Sequence, residues 1–374
     1  MIKSIKAAQR LGSRGNPTVQ VELTINQGTF RAIVPSGAST GANEAVELRD
    51  ATQLSTVAKA GLQVDTDQAK IDELPNALDG TKNKANLGAN AILGVSMACA
   101  RAGAAASGLR LYEYLRRESG AKTPYVLPVP FFNVLNGGVH PENKTAFQET
   151  MIAPVFTKKF GASTIGIGDE ILDAGYERKV KFAIDPASSE FFKDGAYDIG
   201  FKDDKSNRQS AKQLMDIYHS LLTKYPIVLL EDPFAEDDWA SWTEFRKNCP
   251  IELVGDDLLV TNTIYVQEAH VKTACDSMLL KINQIGTISE ALKAFVWLER
   301  THRVFVSHRS GETTDDFIAD LVIGLRTGHI SSEAPCRGER VAKYNRLMEI
   351  GETLWAKGEK VTYACERFRA AYNV

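Results

Sequence analysis

No stretch of this chain is apolar for long enough to cross a membrane, and the opening "MIKSIKAAQRLGSRGNP" has no apolar core of signal-peptide length. A cytoplasmic setting is expected. Cysteine is scarce and unpatterned. Cys99, Cys249, Cys275, Cys336 and Cys365 are odd in number, widely spread and without a CxxC pair, which argues against a disulfide framework or a zinc site and predicts reduced, mostly buried thiols. An excess of one charge sign is missing too: a net charge of −3 gives no basic footprint for nucleic acid or an anionic membrane. There is no GxGxxG or P-loop, no internal repeat and no low-complexity tract.

What remains is an ordinary globular composition, 44% hydrophobic and 24% charged over 374 residues, enough for a barrel-sized domain and a smaller companion. In the first third, "TVQVELTI" and "TFRAIVP" alternate like strands around the turn "NQG", and "ANAILGVSMACARAGAAA" reads as a small-residue helix packed closely against a neighbour. This describes an α+β unit. The polar stretch "ESGAKTP" marks a boundary, giving a capping domain over 1–124 and a second domain over 125–374.

Beyond that boundary the rhythm changes. The strand-length runs "KFAID", "PIVLLED", "IELVGDD", "SMLLKIN" and "VFVSHRS" each end in an ionisable residue: Asp185, Glu231, Asp256, Lys281 and His308. From Glu231 the intervals are 25, 25 and 27 residues, one strand plus one returning helix. Such a helix is visible in "QLMDIYHSLLTKY", where Leu214, Ile217, Tyr218, Leu221 and Leu222 form one apolar face. Continuous apolar strands alternating with amphipathic helices predict a parallel sheet covered by helices. Ionisable groups at successive C-terminal strand ends favour a TIM-type (β/α)8 barrel with one active mouth, ahead of an open doubly wound sheet.

Asp185, Glu231 and Asp256 would place hard oxygen ligands around one point, which suits Mg²⁺; any one of them alone reads better as a helix cap or surface ion pair. Lys281, on the next strand, is a candidate base whose pKa burial beside a cation would lower, with a structural salt bridge to Asp256 as the alternative. His308 and Arg309 add a hydrogen-bond donor and a guanidinium suited to phosphate or carboxylate. Metal plus a lysine base is a route to proton abstraction beside a carboxylate.

At these same motifs the chain resembles the enolase family, glycolytic dehydratases of 2-phosphoglycerate. The matching stretches, in family order, include "SRGNPTV", "VPSGASTG", "LGANAILGVS", "LPVPFFNVLNGG", "IDPASSEFF", "EDPFAEDDW", "LLKINQIGT" and "SHRSGETTDDFIADLVIGLRTG". The resemblance implies a cytoplasmic homodimer with an α+β cap on a barrel, and neither nucleic acid nor membrane as partner. It makes Lys281 the base at C2 and Glu170 the acid at the C3 hydroxyl. Asp185, Glu231 and Asp256 match the ligands of a first Mg²⁺, and Ser39 a mobile-loop ligand of a second. His140, Glu149, Ser307, His308, Arg309 and Ser310 match substrate contacts.

Several positions depart from the family pattern. In "LRTGHISSEAP" Ser331 stands where a substrate-binding lysine is usual and Glu333 where glycine is usual. Losing one charge-assisted contact of that kind costs roughly 2 to 5 kcal/mol, so a catalytically impaired paralogue kept for binding or structure is the competing reading. Gly12 and Val139 replace an aspartate and a serine, and segments are missing after "ELRD", "MIAPV" and "GDE". After the descending "MIAPV" a rising strand ending at Glu170 is expected. The chain must then return to the barrel floor over residues 171–179, a reach of roughly 30 Å against a strand of roughly 20 Å. So short a crossover would distort the strand pair or pull Glu170 from the mouth.

Overall fold

The computed structural model describes residues 1–38, 40–48, 67–139, 144–155, 180–298 and 303–373. Ser39, His140, Glu170 and the 171–179 crossover, all singled out from the sequence, lie outside these residues.

The chain begins with an antiparallel meander, β1 (Ser4–Leu11), β2 (Pro17–Ile25) and β3 (Gly28–Ile33). The alternation in β2 buries Val19, Val21, Leu23 and Ile25. β1 has no such signature because six of its eight residues are exposed. Three helices follow: α1 (Gln68–Asp79), α2 (Ala89–Ala106) and α3 (Leu111–Ser119). α2 is the predicted small-residue helix, and its composition answers to a close approach: a β-carbon on Gly94 would lie 2.6 Å from Val21 Cγ2. By length and composition alone it could cross a membrane, which corrects the sequence reading that no stretch could, but 83% of it is buried inside the fold, as befits a core helix.

The second part contains β4 (Tyr125–Leu127), β5 (Val129–Asn136), β6 (Glu149–Pro154) and β7 (Val180–Asp185). A small antiparallel sheet, β8 (Phe192–Lys193), β9 (Ala196–Asp198) and β10 (Arg208–Gln209), precedes α4 (Ala211–Lys224). Then strands and helices alternate: β11 (Ile227–Glu231), α5 (Trp239–Arg246), β12 (Glu252–Gly255), α6 (Thr263–Lys272) and β13 (Ser277–Leu280). After the short α7 (Ile282–Ile285) come α8 (Ile288–Leu298), β14 (Arg303–Ser307), α9 (Phe317–Leu325), β15 (His329–Ser331), α10 (Gly338–Ala356) and β16 (Val361–Tyr363). The predicted face of α4 packs inward, with Leu214 and Tyr218 fully buried, and Ser210 with Gln213 forms a capping box at its start.

Eight strands close into a barrel in the order β11-β12-β13-β14-β15-β5-β6-β7. Every pairing is parallel except the two made by β6. The interior is filled by Phe131, Met151, Ala153, Ala183, Leu229, Val254, Leu279 and Phe305, and Phe368 and Ala371 from the C-terminal segment pack with them. It is a packed core, so chemistry is confined to the rim.

One expectation is corrected. The rising strand that follows the descending β6 in the ring is β7, with Glu149 opposite Asp185 and Pro154 opposite Val180. The barrel closes without a strand ending at Glu170. β6 ends and β7 begins at the floor, where Pro154 and Val180 are paired.

The N-terminal part reaches the opposite rim. Ser36 and Gly311 exchange both backbone hydrogen bonds at 2.9 Å, an approach that a side chain at 311 would obstruct because its β-carbon would fall 2.5 Å from Ser36 Oγ. Arg101 of α2 clamps Asp315, just ahead of α9, with two hydrogen bonds of 2.8 Å. Cys99, Cys249 and Cys275 are buried and all five cysteines are free thiols.

Candidate active site

Parallel strands of similar height bring their C-terminal ends to one rim. Asp185 ends β7, Glu231 ends β11, Asp256 follows β12, Lys281 follows β13 and Ser307 ends β14. His308, Arg309 and Ser310 continue from β14. Glu149 joins them because the reversed β6 starts at the rim. Eight of the residues expected from the sequence, Glu149, Asp185, Glu231, Lys281, Ser307, His308, Arg309 and Ser310, line one pocket together with Gln148 and Ser331. Asp256 stands beside it in contact with Lys281.

The acids are buried: Asp185, Glu231 and Asp256 are 4%, 5% and 8% exposed. Burial pushes the Asp185 carboxyl up to about 7, with Asp256 adding repulsion against the pull of Lys281. Burial and Asp185 hold Glu231 well above the usual carboxylate range. Glu149 rises to about 8 through burial and the charges of Asp185 and Glu333. Neighbours orient these acids. Asp185 accepts from the Ala187 N–H at 2.8 Å and from Gln148 Nε2 at 3.1 Å, and Asp256 accepts from Gln284 Nε2 at 2.7 Å. Asp232 brings its oxygens close to Asp256 and Asp257 but is committed to structure, accepting the N–H groups of both at 2.8 and 2.7 Å.

Three buried carboxylates with surplus negative charge form an oxygen-only donor set, and it fits a hard divalent cation such as Mg²⁺. A cation is the partner that would lower the cost of burying them together.

Lys281 makes the contact that the sequence offered as the alternative to a base. Its ammonium pairs directly with Asp256. Burial alone would depress its pKa, but Asp256 and Glu231 outweigh burial and hold the amine above the ordinary lysine range. The salt bridge foreseen as the alternative is present in this state.

Arg309 also differs from expectation. Its guanidinium is turned to Glu44, donating at 2.8 and 3.1 Å, and to Asn283 Oδ1 at 2.9 Å. His308 is held neutral by burial and by the positive charges of Arg340 and Lys281. Arg340 Nη1 lies 2.6 Å from His308 Nδ1 and 2.8 Å from the Arg309 carbonyl. Ser331 is buried at the end of β15. Glu333, two residues on, brings Oε1 to 3.9 Å from His308 Nε2 and 3.7 Å from Arg340 Nη2.

Sequence reading did not name Glu44, Gln148, Gln284 or Arg340. Gln284 stands in the quoted "LLKINQIGT" and Gln148 immediately precedes Glu149, so adjacency was their only signal. Glu44 and Arg340 carry none, since tertiary contact alone brings them to the rim.

Family models agree with this layout. The model described as "Enolase, N-terminal domain" matches residues 2–115, and "Enolase, C-terminal TIM barrel domain" matches 124–173 and 164–372.

Proposed function

From the premise that this chain belongs to the enolase family, we propose that it is a Mg²⁺-dependent lyase converting 2-phosphoglycerate to phosphoenolpyruvate and water. The supporting observation is the rim itself: Lys281, Asp185, Glu231, Asp256 and the His308–Arg309–Ser310 run converge on one pocket.

Asp185, Glu231 and Asp256 would hold the metal. When bound, Mg²⁺ would offset the charges that keep Lys281 protonated and stabilise the negative charge of an ene-diolate. Lys281, as the free amine, takes the C2 proton. Glu170, by family resemblance, donates a proton to the departing C3 hydroxyl, which leaves as water. His308 and Ser310 present polar groups to the anionic ends of the substrate, and the packed barrel core below keeps water out of the floor of the pocket. Homodimerisation and a cytoplasmic setting accompany this reading as family expectations.

A second reading is favoured by one observation. Glu333 adds a carboxylate beside His308 where an anionic substrate would lie, and Ser331 offers no charge. On that reading the fold is kept for binding. Mg²⁺-dependent formation of phosphoenolpyruvate by the purified protein separates the two, with Ser331→Lys run alongside. Activity that rises in the variant supports the lyase; absence of turnover in both proteins, with a cooperative melt, leaves the binding reading.

A further inference from the structure

Glu149 and His308 of this pocket form a second constellation with Glu333, which the proposed reaction does not use. Glu149, His308 and Glu333 bring one donor atom each to within 4.8 Å of one another. They come from three elements: the start of β6, the loop after β14 and the loop after β15. None is a ligand of the Asp185–Glu231–Asp256 set.

We propose that Glu149, His308 and Glu333 form a second divalent-cation site, selective for a metal that accepts imidazole nitrogen, such as Mn²⁺ or Zn²⁺. Two carboxylates and one imidazole are a borderline donor set, distinct from the oxygen-only set beside it. At 3.9 Å, His308 Nε2 and Glu333 Oε1 are too far apart for a hydrogen bond and close enough for a shared ion. Ligands about 2.0 to 2.2 Å from a metal lie roughly 3.5 Å apart, so the donors close by about 1 Å on binding.

Metal binding at Nε2 requires one tautomer of His308, for which an acceptor is in place. His308 Nδ1 lies 2.8 Å from the Arg309 carbonyl, and a ring proton donated there leaves the Nε2 lone pair facing the pocket. Arg340 Nη1, 2.6 Å from Nδ1, can only donate, so it holds the opposite tautomer in the metal-free state; on metal binding it would give that contact up and keep the Arg309 carbonyl, 2.8 Å away, while Nη2 keeps the Ser310 carbonyl at 3.1 Å. Among the described residues the Glu149 carboxylate has no hydrogen bond or ion pair, although Asp185 stands opposite it. Of the nearby cations, Lys281 is engaged with Asp256 and Arg309 with Glu44, while Arg340 Nη2 lies 3.7 Å from Glu333 Oε1. Glu333 is held in place by Tyr344, whose hydroxyl donates to its carbonyl at 2.5 Å, although φ of 59° puts its backbone in the left-handed region.

Three protein ligands leave a coordination position open, the pattern of a metal that meets substrate or water. Such an ion would put positive charge beside Ser331, where the family keeps a lysine. That consequence rests on the lyase reading; the binding site does not.

The test uses the full chain, stripped by a chelator and titrated with Mn²⁺ alone, counting free ion by electron paramagnetic resonance and ligand nitrogen by spin-echo modulation. Two equivalents are expected, one of them coupled to a single imidazole nitrogen. Glu333→Gly, which also relieves the left-handed backbone, should weaken the nitrogen-coupled equivalent at least tenfold and leave the other. Glu231→Gln should do the reverse. A wild-type protein with no nitrogen-coupled Mn²⁺, or coupling that survives Glu333→Gly and Glu149→Gln unchanged, overturns the inference. Two equivalents without turnover of 2-phosphoglycerate overturn the lyase reading and leave the site standing.

Discussion

The mouth and the floor of the barrel both bury carboxylates, and they treat them oppositely. At the floor Glu252 is fully buried, but His329 Nε2 sits 3.1 Å from its Oε1, and the His329 ring stacks on Phe305 with centroids 4.6 Å apart. Burial would push the Glu252 carboxyl up; His329, and further out Arg303, outweigh it and hold the group below its usual range. Nearby, Asp276 receives Arg303 at 2.5 Å and the Leu253 N–H at 2.7 Å. At the mouth, Glu149, Asp185 and Glu231 face one another and all three rise. Equal burial with matched charge gives structure, and with surplus charge of one sign it gives a binding site.

The sharpest way to break that contrast is to change one residue at each end. Lys281→Ala should lower kcat for phosphoenolpyruvate formation by about 10² to 10⁴, the range for loss of a positioned general base. A loss of tenfold or less would remove Lys281 from the chemistry. Glu252→Ala should instead leave kcat within about twofold while costing roughly 1 to 3 kcal/mol of stability, because His329 Nε2 loses its buried partner. In a thermal melt of a chain this long that is a fall of a few degrees. An unchanged melting temperature would mean that the floor pair is not structural.

A smaller effect sharpens the mouth. Asp185→Asn should raise the melting temperature of the metal-free protein by a few degrees, about 1 kcal/mol, because one of the mutually repelling charges is gone. The new amide has a ready acceptor in Gln148 Oε1, which is buried without a partner. Stabilisation by added Mg²⁺ should vanish in the same variant. A lower metal-free melting temperature would show that the acids are already compensated.

The contrast also explains what the sequence could tell. β7, β11, β12, β13 and β14 were legible because each is a continuous apolar run followed by an ionisable residue, and most of those residues line the pocket. The floor pair was not legible: Glu252 and His329 are 77 positions apart and become partners only when the ring closes. Glu44 was missed for the same reason, meeting Arg309 across 265 positions. β1 was missed because an exposed strand has no alternation to read.

The smallest prediction tests whether matched burial acts alike where the N-terminal part meets the barrel. Asp315 accepts two hydrogen bonds from Arg101 at 2.8 Å and the N–H groups of Ile33 and Phe317 at 3.0 Å. Burial opposes ionisation, but Arg101 and these donors prevail, so its folded pKa lies below the ordinary value. A depressed carboxylate contributes its stability in full above the unfolded pKa of about 3.9, and the contribution is lost as pH falls through the folded value. Asp315→Asn should therefore be less stable than the wild type above about pH 5, and the two should converge on further acidification. Denaturant melts from about pH 6 to pH 2 measure this gap. The mouth acids predict the opposite slope for the metal-free protein, since a raised pKa costs stability as pH climbs toward about 8 at Glu149. A gap for Asp315→Asn that stays constant or widens in acid would mean that the Arg101 clamp works through packing alone, and matched charge would then explain the floor but not this junction.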